Sequence, residues 1–218
     1  MKNTKKTTFV MKISTLACTL IAGLFSVSAH AAVLFENAYN IGLGGNNHFS
    51  FNGDSTIGAE NFALAADSTI ETISFTAHTN SALPSSIDWW IYDDSAPLAG
   101  NTIFSGSTSS YTSVVIAPYD TGGIRDYSID VGELGLVSGN YWVGFSPNGI
   151  DGNIHWSLGT GDSLSALNQS GSWTTPYPGG AMVFRIDGQF DTSEVPVPAA
   201  AWLFGSALAG LGVLRKKK

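Results

Sequence analysis

The chain has 218 residues and carries seventeen acids against ten lysines and arginines, and the cations are crowded at its ends: four lie before residue 13 and four after residue 214. Between them only Arg125 and Arg185 stand against all seventeen acids, a net charge of −15 with no lysine. Neutralising phosphates needs a basic patch, so nucleic acid is excluded as a partner, and a single cysteine, Cys18, excludes a disulfide framework.

Lys2, Lys5, Lys6 and Lys12 precede an apolar run from Ile13 to Val27 and the small-residue site Ala29-His30-Ala31. A basic region, an apolar region and a small-residue site make a secretory signal peptide, so residues 1–31 are expected to direct export through the Sec machinery, with cleavage after Ala31. Cys18 reads poorly as a lipid anchor, because the apolar run continues past it and Thr15 stands where a lipobox prefers an aliphatic side chain. The chain's only cysteine is therefore expected to leave with the leader.

Residues 32–194 are the size of one domain. Short alternating apolar runs separated by Gly, Asn, Asp, Ser and Pro predict an all-β fold, an antiparallel β-sandwich of jelly-roll-like type. Strands are predicted near 34–39, 47–52, 59–65, 69–77, 87–92, 102–105, 111–117, 124–131, 140–146, 153–158 and 181–190. Side chains alternate between faces along a strand, which gives six core sets: Ile73, Phe75 and Ala77; Ile87, Trp89 and Ile91; Tyr127, Ile129 and Val131; Tyr141, Val143 and Phe145; Ile154, Trp156 and Leu158; Met182, Phe184 and Ile186. Opposite them fall Asp88, Trp90 and Tyr92; Asp126, Ser128 and Asp130; Trp142; His155; and Arg185.

No serine-hydrolase elbow occurs, and Gly42-Leu43-Gly44-Gly45-Asn46-Asn47 runs into a strand-like His48-Phe49-Ser50-Phe51, so it reads as a flexible loop and not a dinucleotide site. His48, His78 and His155 lack zinc-ligand spacing, and no metal site is expected from them. Calcium favours clustered Asp, Asn and backbone oxygens; Asn52-Gly53-Asp54 and Asp151-Gly152-Asn153 supply the residue types without EF-hand spacing, and plain turns are the stronger reading. Adjacent Asp93 and Asp94, and Asp126 with Asp130 on one face, are the acids a glycan hydrolase would draw on. The stronger expectation is a non-catalytic one. Trp90, Tyr92 and Trp142 are predicted to form a solvent-facing aromatic platform that binds polysaccharide, since planar rings stack on sugars; the alternative is that this face is covered by a loop or a second sheet.

The C-terminal stretch has three parts. Val195-Pro196-Val197-Pro198 breaks the chain, because each proline disfavours helix at the residue before it. Ala199 to Leu214 follows without a charge; at about 1.5 Å per residue it makes a helix of roughly 24 Å, a little short of a ~30 Å hydrocarbon core. Arg215, Lys216, Lys217 and Lys218 then form a basic stop that holds the end on the cytoplasmic side.

This order of elements resembles the PEP-CTERM sorting signal of Gram-negative bacteria, over residues 195–218, with Val197 where the name-giving pattern has glutamate. The run Ala-Ala-Ala-Trp-Leu-Phe-Gly-Ser, residues 199–206, is similar to that family too, and Ile87–Tyr92 with Gly139–Gly144 resembles a β-rich ectodomain found in its members. The resemblance implies processing by an exosortase, a membrane-embedded cysteine protease, after an inner-membrane intermediate. It also implies display on the cell surface or in an exopolysaccharide or biofilm matrix. The competing readings are a secreted hydrolase of envelope glycans and a purely structural matrix protein.

Overall fold

The computed structural model of the chain describes residues 31–39, 48–51, 56–79, 82–118, 123–149, 154–159, 164–175 and 181–191, without the side chains of His48 and Phe49. All of them belong to one compact unit, Ala31–Lys218. Ala29, Val195, Pro196, Val197, Pro198, residues 199–214, Arg215, Lys216, Lys217, Lys218 and Cys18 lie outside the described residues, as do residues 42–47, 52–54 and 151–153. Among the described residues there is no helix long and apolar enough to cross a membrane.

Thirteen strands are present among the described residues: β1 (Ala32–Asn37), β2 (His48–Phe51), β3 (Thr56–Leu64), β4 (Ser68–Thr79), β5 (Ser86–Asp93), β6 (Thr102–Thr108), β7 (Thr112–Ala117), β8 (Ile124–Leu136), β9 (Gly139–Asn148), β10 (Ile154–Ser157), β11 (Ser165–Gln169), β12 (Ser172–Thr174) and β13 (Phe184–Phe190). They form two antiparallel sheets. The six-stranded sheet runs β12-β11-β3-β9-β5-β6, and the seven-stranded sheet is organised around β4. Because β8 lies along one edge of β4 from Ser68 to His78, β13 and β10 share the other edge, against Ser68–Phe75 and Ala77–Thr79. Outside them lie β1 on β13, β2 on β10 and β7 on β8.

The two sheets face each other across one core, and aromatic contacts cross the gap. Phe75 of β4 meets Phe145 of β9 with ring centroids 4.5 Å apart, Trp156 of β10 meets the same Phe145 edge-on at 5.2 Å, and Phe62 of β3 meets Phe184 of β13 at 6.1 Å. Period-two alternation accounts for the core: Ile73, Phe75, Ala77, Ile87, Ile91, Tyr127, Ile129, Val143, Phe145, Ile154, Trp156, Phe184 and Ile186 are all buried. Val131 and Leu158, predicted with them, are half-buried and pack on the rim. Trp156 also donates its indole N–H to the Val183 carbonyl at 2.7 Å, so the polar atom of the largest core ring is satisfied.

Each predicted strand has an observed counterpart, with two departures. β8 continues to Leu136, because Asp130-Val131-Gly132 is a bulge within the strand and not its end: the register against β4 shifts between Ile70 and Thr72, Gly132 takes φ 73°, and its N–H donates to the Asp130 carboxylate. The β11–β12 hairpin was not predicted. Its two-residue turn, Ser170-Gly171, has both φ values positive, the conformation that matches the twist of paired strands, and the Asn168 side chain accepts the Gly171 N–H.

Candidate functional site

Alternation places Trp90 and Tyr92 of β5 and Trp142 of β9 on the face of the six-stranded sheet that points away from the core. There they meet small residues. Gly144, Ala59 and Ala166 are cross-strand neighbours on β9, β3 and β11, and a Cβ on Gly144 would stand 3.0 Å from the Tyr92 ring. This shallow floor lets the rings lie down on the sheet.

Two segments then cover them. The 94–101 loop folds back from the end of β5, held by the Asp93 carboxylate, which accepts the Ser95 hydroxyl, the Asn101 backbone N–H at 2.8 Å, the Asn101 side-chain amide at 3.1 Å and the Ser95 N–H. These donors, led by the Ser95 hydroxyl, lower the Asp93 carboxyl to about 2. Gly100 closes the loop where a Cβ would collide with the same carboxylate, and the loop sets Leu98 and Ala99 against the aromatic cluster. From the other side the β11–β12 hairpin brings Trp173 edge-on to Tyr92, at 5.4 Å. Four strand spacings of about 4.8 Å separate β12 from β5, roughly 19 Å in a flat sheet, so the hairpin curls back over the outer face.

The expectation of a solvent-facing platform is therefore corrected. The rings face away from the core, but Trp142 is 1 % exposed and Tyr92 5 %. The Trp142 indole N–H donates to the Asp94 carboxylate at 2.8 Å, and burial raises the Tyr92 hydroxyl above its ordinary value. Trp90, Leu98 and Trp173 are the half-buried members of the cluster and the ones a ligand can reach. Beside them Ser105 and Ser107 of β6 stand exposed, paired with Trp90 and Asp88. The domain's two arginines, Arg125 on β8 and Arg185 on β13, both belong to the other sheet.

The four acids named for hydrolysis do not converge. Asp93 and Asp94 secure the loop just described, whereas Asp126 and Asp130 stand on β8 in the seven-stranded sheet, and Asp130 holds the Gly132 bulge. Asp126 enters a different setting, a cleft of about 170 Å³ lined by Glu36, Tyr39, Thr76, Ile116, Asp126 and Arg185 among others. Burial raises its carboxyl above the ordinary carboxylate value; Arg185 and a 3.4 Å hydrogen bond from Thr76 pull the other way, and Asp187 and Glu36 add to the rise. Arg185 is itself engaged by Asp187 at 2.8 Å. The sequence reading did not name Glu36 and placed Arg185 on an outer face without linking it to Asp126, because only the β1–β13–β4–β8 pairing brings these residues together.

His78 and His155, remote in sequence, are cross-strand neighbours on β4 and β10 with rings stacked 5.8 Å apart. Among the described residues no group of three or more His, Cys, Asp or Glu is arranged to hold a metal ion. Burial holds the His155 imidazole below its ordinary value. A folded state that resists protonation has its full stability above the unfolded value of about 6.5 and loses it as pH falls through that value and the depressed folded one. Thermal unfolding midpoints should therefore drop between pH 7.5 and 5, and His155→Asn should flatten that slope; an unchanged slope would remove His155 as its cause.

Comparison with protein-family models and with curated protein sequences finds no match for this chain.

Proposed function

We propose that the chain is an exported envelope or matrix protein whose 32–194 domain adheres to polysaccharide without catalysing a reaction. In this reading the sandwich is jelly-roll-like and is flanked by the leader and the C-terminal membrane helix. The leader carries the chain through the Sec machinery, the apolar 199–214 segment with Arg215–Lys218 retains it at the inner membrane, and an exosortase reads Val195-Pro196-Val197-Pro198. Display at the cell surface or in an exopolysaccharide matrix follows.

One observation supports adhesion above the rest: the half-exposed rings of Trp90 and Trp173, at the rim of the buried Tyr92–Trp142 cluster and near the exposed hydroxyls of Ser105 and Ser107. Aromatic faces take the apolar faces of sugar rings, while hydroxyls and carboxylates take their polar edges. Tyr92 and Trp142 act here as the rigid support of the site. Preorganisation of this kind lowers the ordering cost of binding.

Electrophoresis of the detergent-solubilised full-length chain through gels containing neutral polysaccharide tests the reading. Wild type should be retarded, and Trp90→Ala and Trp173→Ala should each lose most of the retardation while remaining folded. If both variants are retarded like wild type, this surface is not the adhesive one. A hydrolytic alternative rests on the cleft around Asp126, where a carboxyl with a raised value faces Glu36 across Arg185; new reducing ends in the same gels, abolished by Asp126→Asn, would favour it.

A further inference from the structure

The seven-stranded sheet ends at β7. Among the described residues Thr112–Ala117 pairs only with β8, and Val114, Val115 and Ile116 are 60 %, 51 % and 45 % exposed. Since neighbouring residues of a strand point to opposite faces, apolar surface is exposed on both sides of this edge. Edge strands that stay unpaired are commonly blunted by lysine, by proline within the strand or by an inward charge. None of these occurs in β7, and no charged residue stands anywhere between Asn101 and Tyr119. Its one irregularity is the register shift between Val115 and Ala117, which leaves Thr112–Val115 regular.

We propose that β7 is a self-association edge: two copies of this chain pair their β7 strands antiparallel about a two-fold axis, joining two seven-stranded sheets into one. The outward N–H and C=O groups of the strand form a template for pairing with another extended strand. Charge then selects which strand. An acidic strand would meet no cation on β7 and a basic strand no acid, so an uncharged strand fits this edge best. A second copy brings a strand of the same length with no charge, so the approach of two acidic domains is least opposed here. Same-sequence antiparallel pairing also sets valine and isoleucine against one another, the β-branched pairs that stabilise a sheet, and a two-fold contact closes after two copies.

Cysteine crosslinking of the full-length chain tests this. With Cys18→Ser removing the chain's only thiol, single cysteines are placed at Thr112, Ser113, Val114, Val115 and Ile116, with Val137, exposed and nine residues beyond Ser128, the last β8 residue that β7 pairs, as control. A cysteine on the two-fold axis faces its own copy, whereas one two residues along stands about 13 Å from its copy, outside disulfide reach. Mild oxidation should give a disulfide dimer peaked at one position or two adjacent ones, at least about tenfold weaker two residues away, absent at Val137, and abolished by adding Val115→Lys without loss of folding. No dimer at any β7 position, equal dimer at all positions including Val137, or crosslinks to a different protein only, would each overturn the proposal.

Discussion

Trp156→Ala should lower the stability of the domain by about 3–5 kcal/mol, the range for truncating a large buried aromatic. The ring is fully buried, close to Phe51, Phe75 and Phe145 from both sheets. Its removal opens a cavity that neither sheet can close alone. The loss also removes the indole hydrogen bond, worth about 0.5–1.5 kcal/mol net, while the Val183 carbonyl keeps the Thr76 N–H as a donor at 3.2 Å. For a domain of this size each kcal/mol shifts the unfolding midpoint by about 2–4 °C, so a drop of at least roughly 6 °C is expected by circular dichroism. Trp156→Phe separates the two terms, since it keeps most of the ring and loses the hydrogen bond. A shift under 2 °C for the alanine variant would mean that Trp156 is not at the centre of the core.

The second large effect is expected at Trp142, on the outer face of the six-stranded sheet. Trp142→Ala should also cost about 3–5 kcal/mol, because this ring is buried between the small-residue floor and the 94–101 loop. Its hydrogen bond matters less, since Asp94 is exposed and water can replace the indole N–H. Trp90→Ala, which truncates a half-exposed ring, should cost clearly less. Comparing the two melting temperatures tests the corrected geometry directly: equal, small losses would mean that both rings are displayed. A large loss for Trp142 with a small one for Trp90 is the expected result.

Alternation carried most of the fold. β4 and β5 read without ambiguity because Ile73-Phe75-Ala77 and Ile87-Trp89-Ile91 repeat with period two, and the sheets bury those sets. Even Glu60, a carboxylate that composition would place at the surface, shares the inward face with Phe62 and Leu64 and is buried. The same rule assigned Trp90, Tyr92 and Trp142 to the outer face correctly, but a rule about faces carries no information on what crosses them. Covering those rings needed the Asp93-anchored loop, whose four hydrogen bonds join residues up to eight apart, and the β11–β12 hairpin. The hairpin was illegible because Ser165-Ala-Leu-Asn-Gln and Ser-Trp-Thr are too short and polar to alternate visibly. Pairings between distant strands were invisible for a different reason: β1, β8 and β13 converge on one cleft through sheet order, which one chain's local pattern does not encode.

The positions of the two arginines bear on how the domain withstands proteolysis. Arg125 and Arg185 are the only bonds in residues 32–194 that a trypsin-like protease can cut, since no lysine occurs there. Both lie inside strands that flank β4, opposite Ala77 and Ser74. A protease must draw several residues of extended chain into its active site, and neither strand can be released without stripping β4 from its sheet. Cleavage then has to await opening of the seven-stranded sheet as a unit, not the fraying of a loop, so the rate of digestion follows the unfolding equilibrium. An acidic surface free of lysine is thus also a surface with no easy place to be cut.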